Sequence, residues 1–371
     1  MSSCISAIGI ANPANRFNQN SIYQFMANAS GLDETNRARL KSIYDHSGIE
    51  YRYSVIADFG TSSPAEFTFF SPSARLEPFT GTQQRMQLYQ QEAANVGAKA
   101  VQNCVSALPA DTLSRVSHLI TVSCTGMYAP GLDIDLIGQL GLKTNIERTC
   151  INFMGCYGAV NALKTADYIC RATPQAKVLV VSVELCTLHF QKENTLDNWV
   201  ANSLFSDGAA AVLVENSARK LSNNISMELK HFYTEFLPEA SREMGWYIGN
   251  TGFEMKLTSK VTRQIKKNIA AVTHRLMDSA GMNFSQIDAF AIHPGGRKIL
   301  EAVEEALELP EESNELAYQV LREYGNMSSA TILFVMKKLM ERPLKSNQHI
   351  LSFGFGPGLT MEGLILKTQA A

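Results

Sequence analysis

Several things are scarce in this 371-residue chain. Charge of one sign is the first: 33 Lys and Arg stand against 35 Asp and Glu, for a formal net charge of -2. Without a global positive field nothing holds a polyanion, so nucleic-acid binding is set aside. Long apolar runs are scarce too, and none reaches the roughly 18–20 residues of a bilayer span, so no membrane span is expected. The opening MSSCISAIGIANPANRF has no basic n-region and no long apolar stretch, and no secretory signal is read in it. The seven cysteines (Cys4, Cys104, Cys124, Cys150, Cys156, Cys170, Cys186) include no C-x-x-C pair. Their odd number and wide spacing argue against a disulfide framework and a zinc site, and most read as buried thiols. No metal is expected. With 45% hydrophobic and 18% charged residues, the composition is that of a cytoplasmic globular enzyme.

What is present is a series of short, β-branched apolar runs: 4–11, 117–124, 177–185, 208–215, 288–293, 349–356 and 361–367. Such runs read as strands buried on both faces. Helical periodicity fills 82–107, 131–141, 156–172, 258–280, 295–307, 311–323 and 328–341. Alternation of the two predicts an α/β fold with mostly parallel sheets. The order of events also repeats. SHLITVSC, a helix, KVLVVSVEL, the turn FSDG and GAAAVLVE are echoed by DAFAIH, helices, HILSFGFG, PGLT and MEGLILK. This predicts two duplicated α/β halves, 1–220 and 221–371, with the polar stretch 216–224 as the seam.

The most informative segment is RTCINFMGCYGAVNALKTADYICRATPQ, 148–175. An apolar strand at 150–154 runs into Gly155-Cys156, and a helix follows at once. Gly155 permits a sharp turn, and a helix start favours an anion, so Cys156 reads as a nucleophilic thiolate. The competing reading is a buried cysteine beside a tight turn. A nucleophile wants a base, and His293, at the end of DAFAIH and before Pro294-Gly295-Gly296, stands where α/β ligand sites lie. His189 either lines a pocket or packs. His46, His118, His231, His274 and His349 read as surface residues. Asn326, in EYGNMSSATILFVM, is either a helix N-cap or a site residue. GFGPG (354–358) lets a backbone come close to a ligand but carries no lysine, so it is no phosphate loop of Walker type.

Together these segments resemble the type III polyketide synthases of chalcone-synthase type, in the thiolase superfamily. GCYGA (155–159), FSDGAAA (205–211), IHPGG (292–296), GNMSSA (325–330) and GFGPGLTME (354–362) occur in that family's order and spacing, over essentially the whole chain. The resemblance implies the thiolase fold, two duplicated halves in a five-layered αβαβα body, and a homodimer. It implies a catalytic set of Cys156, His293 and Asn326 and gatekeeper phenylalanines at Phe205 and Phe253. An acyl-CoA starter would load on Cys156, held ionised by a His293 imidazolium, and be extended by decarboxylative Claisen condensation with malonyl-CoA. The CoA thioesters are substrates, and no cofactor is implied. The loop Gly354, Phe355, Gly356, Pro357 and Gly358 would help to shape the cyclisation pocket. For CoA the family uses basic residues on an early helix. This chain has Arg37, Arg39, Lys41 and Arg52 there, with Ser42 and His46 where more cations are usual; these side chains otherwise form a solvated helix face. Gly295 and Gly296 would let the pantetheine arm pass.

Several positions depart from the chalcone-forming pattern. Cys124 stands for a threonine, Cys186 and His189 stand for threonines, and Met244 stands where glycine is usual. Ala129 replaces a methionine that usually reaches across the dimer. Glu184 and Ser328 keep a polar network that Cys124 interrupts. A reshaped cavity favours an aliphatic starter and an alkyl pyrone or resorcinol product. The nearest rival is a ketoacyl-ACP synthase III, which usually has threonine after the asparagine, where this chain has Met327. A hydroxymethylglutaryl-CoA synthase should show an earlier acidic residue that is not found. A non-catalytic thiolase-fold partner subunit is opposed by the complete Cys156, His293 and Asn326 set.

Overall fold

The computed structural model describes residues 2–219 and 225–369. In chain order it runs β1 (Ser3–Ala11), β2 (Asn15–Asn18), α1 (Gln19–Ser30), α2 (Glu34–Asp45), β3 (Tyr51–Ser54), α3 (Thr82–Val105) and β4 (His118–Ser123). Next come α4 (Leu132–Leu140), β5 (Glu147–Asn152), α5 (Gly158–Ala172), β6 (Lys177–Leu185), α6 (Leu196–Leu204) and β7 (Asp207–Asn216). After the undescribed residues follow β8 (Ser226–Phe236), β9 (Met244–Gly249), β10 (Gly252–Leu257), α7 (Lys260–Ala280) and β11 (Ile287–Ile292). The chain closes with α8 (Arg297–Leu307), α9 (Glu315–Tyr324), α10 (Thr331–Met340), β12 (His349–Gly356) and β13 (Thr360–Gln369).

The strands β5-β4-β6-β7-β1 and β8-β13-β12-β11 form one continuous hydrogen-bonded order. The two sets meet only where Cys4 faces Glu228 and Ile5 faces Met227. On either side of that junction the pattern is the same. β4 lies parallel to β6, and β7 and then β1 follow antiparallel. β11 lies parallel to β12, and β13 and then β8 follow antiparallel. The repeated order in the sequence is thus a repeated topology.

Alternation along β6 shows how the layers are made. Val178 and Val180 face the central core with Val160 and Leu163 of α5 and Phe334 and Val335 of α10. Leu179, Val181 and Val183 face the other way, against Ala93, Ala100 and Val101 of α3 and Leu136 of α4. Ile265, Ile269 and Val272 of α7 pack with the second set of strands. The result is the αβαβα thiolase fold. Because α5 and α10 share the middle layer, the turns that start them lie close together, which brings Cys156 towards Asn326.

Four sequence expectations shift. The large sheet is mixed and not mostly parallel, with five of its eight strand pairings antiparallel, because β1, β7, β8 and β13 run against their neighbours. The strand before Gly155 lies at 147–152 rather than 150–154, and α5 starts at Gly158, so Cys156 sits in the turn ahead of the helix. Cys150 is exposed, since β5 is the sheet's edge, while the other six thiols are buried. Strand β8 was not foreseen. Its second half, facing partly outward, mixes Lys230, His231 and Glu235 with aromatics and so hides the apolar run. Residues 220–224 of the expected seam lie outside the described residues.

Candidate active site

Cys156 is placed by its neighbours' lack of bulk. Gly155 has φ +79°, and a Cβ on it would sit 2.3 Å from Cδ of Pro357. A Cβ on Gly356 would lie 2.7 Å from the Tyr157 ring and 3.4 Å from the Cys156 nitrogen. The GFGPG segment is therefore glycine-rich because the end of β12 presses on the nucleophile's turn. Within it, Gly354 and Gly356 belong to β12, Pro357 starts the turn into β13 and reaches the cavity, and Gly358 lies in the middle of that turn. Phe355 does not join the site: its ring is core, stacked near Phe353.

His293 follows β11, and its N–H donates to the Phe353 carbonyl of β12 at 2.8 Å. The residue is 1% exposed, and neither ring nitrogen has a hydrogen-bond partner among the described residues. Asn326 follows Gly325, which closes α9 at φ +71°. Its backbone pairs with Phe205 as an isolated parallel bridge. Its side chain serves two masters. Oδ1 accepts from the Ser328 N–H at 2.9 Å, the cap-like role, while Nδ2 donates to the Gly295 carbonyl at 3.1 Å. The second bond ties the asparagine to the histidine's loop.

The charge states differ from those the sequence suggested. Burial pushes the Cys156 thiol up to about 12, against hydrogen bonds from the Ser328 and Asn326 side chains and its own N–H that favour the thiolate. Burial also lowers His293 to about 3. Burial thus disfavours the charged form of both groups and works against the thiolate–imidazolium pair that the resemblance implies.

The polar network runs along a different path from the one expected. Glu184 is fully buried; Oε2 accepts from the Cys124 N–H and the Thr125 hydroxyl, both at 2.9 Å, and Oε1 accepts from Ser329. Ser329, not Ser328, joins this network; Ser328 lines the cavity beside the nucleophile instead. Cys124 does not simply interrupt it. Its backbone feeds Glu184, while its sulfur accepts the Gly155 N–H at 3.0 Å and so steadies the turn that carries Cys156. Burial raises Glu184 to about 7.

His189 proves to be a strut. Nε2–H donates to the Thr125 carbonyl at 2.7 Å and Nδ1 accepts the Phe253 N–H at 2.9 Å, a set that requires a neutral ring. Burial lowers it to about 3. The ring stacks on Phe253 with centroids 4.1 Å apart. Phe253 is consequently held behind the cavity wall and does not line it. The β9–β10 hairpin presents Met244, Trp246 and Met255 instead. Trp246 pairs with Met255 across the hairpin and donates Nε1–H to the Cys124 carbonyl at 2.7 Å. Neither Trp246 nor Met255 was singled out from the sequence, although period-two reading from Phe253 puts Met255 on its face. Phe205, Cys186, Cys124 and Ser328 do line the cavity with Cys156, a space of about 30 Å³. Ala129 is elsewhere, in a surface cleft with Met127 and Cys150.

Among the basic candidates, Arg39 is exposed on α2, and Lys41 is engaged with Asp45 one turn on. Arg37 bonds the Leu32 carbonyl and Asn28. Arg52 is buried, donating to Gln19 and to the carbonyls of Asn202 and Phe205, so it is a framework residue. Arg297, not singled out in the sequence, opens α8 just after Gly295-Gly296 and donates Nε–H to Glu301 at 2.7 Å; a Cβ on Gly48 would meet its Cδ at 3.4 Å, which sets it against the end of α2. Among the described residues no cluster of three or more His, Cys, Asp or Glu side chains is placed to hold a metal, and no helix is long and apolar enough to cross a membrane.

Known proteins match nearly the whole of the chain. The descriptions "Chalcone and stilbene synthases, N-terminal domain" and "C-terminal domain" match residues 2–218 and 228–370. An "alpha-pyrone synthesis polyketide synthase-like" protein of Mycobacterium tuberculosis is 30% identical, over 90% of this chain and 83% of its own. Type III polyketide synthase A of Arabidopsis thaliana is 28% identical, over 98% and 92%. The crystal structure of the C-terminal type III polyketide synthase domain of Steely1 from Dictyostelium superposes with TM-score 0.90 at 27% identity, covering 99% of both chains.

Proposed function

The chain belongs to the chalcone and stilbene synthase family, type III polyketide synthases that condense CoA thioesters, and from that premise we propose that Cys156 is its acyl-carrying nucleophile. The observation that carries the reading is His293: a buried imidazole with two unpartnered nitrogens, on a loop tied to Asn326, in a protein whose buried polar groups are otherwise mostly bonded. Such a ring is waiting for a ligand.

The neutral thiol and imidazole that burial favours set the order of events. As Cys156 Sγ attacks the starter thioester, its proton passes to His293; the C–S bond to CoA breaks, and the proton leaves on the CoA thiolate. Malonyl-CoA then loses CO₂. The electron pair of the broken C–C bond becomes an enolate, whose oxygen is held by a His293 N–H and by the second Nδ2 hydrogen of Asn326, the first being committed to Gly295. The enolate carbon attacks the acyl carbon, and Cys156 leaves as thiolate. The Cys156 N–H, against Gly356, would face the tetrahedral oxygen. Apolar walls at Phe205, Met244, Trp246 and Met255 keep out the water that would hydrolyse the acyl-enzyme.

CoA lies over Gly295 and Gly296, with Arg39 and Arg297 as its cations. The confined cavity supports an aliphatic starter, and the mycobacterial relative's description supports a pyrone as product. The exposed edge strand β5, beside exposed Met127 and Ile134, supports a homodimer, and the repeated topology supports a division near residue 220. Purified protein given malonyl-CoA and a panel of acyl-CoAs should release CO₂ and yield a polyketide mass. Extension only from malonyl-ACP would sink the proposal.

A further inference from the structure

A chain of hydrogen bonds joins two spaces in this protein. At one end is a surface cleft of about 300 Å³, lined by Tyr89 and Ser123 with Met127, Asp133, Arg148 and Cys150. At the other is the cavity at Cys156, which Thr125 lines beside Cys124. Between them the Tyr89 hydroxyl donates to Ser123 Oγ at 2.7 Å, and Ser123 Oγ is bonded to Thr125 Oγ1 at 3.5 Å, the longest of the links. Thr125 Oγ1 then donates to Glu184 Oε2 at 2.9 Å. Gly126 makes room for the first link, since a Cβ there would lie 2.1 Å from the Tyr89 ring.

The partners fix the direction of this chain. A hydroxyl has one hydrogen to give and two lone pairs to receive with. Thr125 gives its hydrogen to Glu184 and receives the Leu185 N–H at 2.9 Å, so towards Ser123 it accepts. Ser123 receives the Tyr89 hydroxyl and, at 3.3 Å, the Thr125 N–H, so its own hydrogen points at Thr125. All three hydroxyls are therefore aimed from the cleft to the carboxyl. Beyond Glu184 the path ends in the core, because Oε1 accepts from Ser329, which is bonded in turn to Ser182, fully buried in β6.

Glu184 is placed to feel what happens at the nucleophile. Burial raises the thiols of Cys124, Cys156 and Cys186 and the Tyr89 phenol, and the Glu184 charge adds to this in all four. An ionised Glu184 thus opposes a thiolate at Cys156. The proposed chemistry makes that thiolate in one step and not in the other. Loading the starter is balanced, because the Cys156 proton ends on the CoA thiol. Extension is not. The malonyl carboxylate leaves as neutral CO₂ and its electron pair becomes the enolate. When the enolate carbon bonds the acyl carbon, the negative charge is left on Cys156 Sγ.

We propose that Tyr89, Ser123 and Thr125 form a proton relay that neutralises Glu184 from the cleft as condensation leaves the thiolate on Cys156. This rests on Cys156 carrying the acyl group. Water in the cleft protonates the Tyr89 oxygen as that hydroxyl gives its hydrogen to Ser123; Ser123 gives its own to Thr125, and Thr125 gives its own to Glu184 Oε2. Each hydroxyl oxygen loses one O–H bond and gains another, and the carboxylate becomes a carboxylic acid. When the next thioester reloads Cys156, the charge leaves with the CoA thiolate, which takes its proton from water, and Glu184 returns its proton by the same path. The three relay residues act through Glu184 and not on the substrate. In the proposed β5 dimer the cleft is a chamber between the copies, polar and roomy enough to hold the water.

The test loads Cys156 from the acyl-CoA panel, follows the adduct by intact-protein mass, and reads the rate at which added malonyl-CoA is turned into β-ketoacyl-CoA. Tyr89→Phe keeps the ring and loses the hydroxyl, and Ser123→Ala removes the middle link. Each should load at the wild-type rate and extend about 10-fold more slowly. Imidazole in the buffer, a small acid that enters the cleft and reaches Ser123, should restore extension in Tyr89→Phe and leave Ser123→Ala slow. If either variant does not fold, the wild type decides: its extension should be about 3-fold slower in D₂O, with a curved dependence on deuterium fraction because several hydrogens move. Wild-type extension in both variants, equal slowing of loading and extension, the same response of both variants to imidazole, or a wild-type rate indifferent to D₂O overturns the relay and leaves the nucleophile intact. Absence of any adduct on wild-type Cys156 across the panel overturns the nucleophile and the relay with it.

Discussion

Asn326 Nδ2 donates to the carbonyl of Gly295, 3.1 Å away and 31 residues earlier in the chain. One side chain thus fixes its own loop against the loop that follows His293, and the same side chain favours the thiolate of Cys156. Replacing it separates the two proposed chemical steps. Asn326→Asp puts an acceptor against the Gly295 carbonyl and removes the donor to the enolate. Malonyl decarboxylation should fall by about 10²–10³-fold, while the starter adduct on Cys156 still forms. The measurement is CO₂ release beside intact-protein mass. Loss of both at once would assign Asn326 to the acylation step instead.

Alkylation tests the neutral resting pair. With the thiol near 12 and the imidazole near 3, iodoacetamide should modify Cys156 slowly at pH 7 and ever faster through pH 9. Cys156→Ala identifies the slow phase. A rate already level below pH 7 would show a standing thiolate–imidazolium pair, and His293 would then act before substrate arrives, not during attack.

What the sequence made legible was the part built from continuous apolar runs. β6 and β7 are buried on both faces and can be written only one way. Cys156, His293 and Asn326 stood out for a different reason, the glycine turns beside them, which the structure has at Gly155, Gly295 and Gly325. The cavity wall was harder. Phe253 was expected in the wall on the family resemblance alone, yet the face a strand residue presents depends on what stacks behind it, and here that is His189, 64 residues away. Arg52 misled for a similar reason. In sequence it completes a basic stretch, and only the packing of β3 under α6 shows its guanidinium spent on the carbonyls of Asn202 and Phe205. Long-range partners of this kind leave no local trace.

His189 offers a prediction with no titration in it. Its ring donates to one buried backbone group and accepts from another, so it stays neutral from pH 5 to 8, consistent with a value near 3. Imidazole resonances assigned to His189 should not move across that range; a midpoint near pH 6.5 would show that the strut opens. His189→Ala orphans the Thr125 carbonyl and the Phe253 N–H and should cost roughly 2–4 kcal/mol in denaturant unfolding.

Glu184 makes the opposite prediction, a stability that depends on pH. Its carboxyl is buried and raised from 4.5 to about 7. A group whose folded pKa lies above its unfolded one binds its proton more tightly in the folded protein, so its stabilising contribution is complete below pH 4.5. That contribution fades as pH rises and is gone above about 7. At about 1.4 kcal/mol for each tenfold gain in proton affinity, the loss is on the order of 3 kcal/mol. Glu184→Gln keeps an oxygen for the Cys124 N–H and the Thr125 hydroxyl and offers Ser329 a donor, as the protonated acid does, without any charge to bury. The variant should therefore match the wild type at pH 5 and unfold at a higher urea midpoint at pH 8. Equal slopes of stability against pH in the two proteins would mean that Glu184 is ionised throughout, its three donors outweighing the desolvation of the carboxylate.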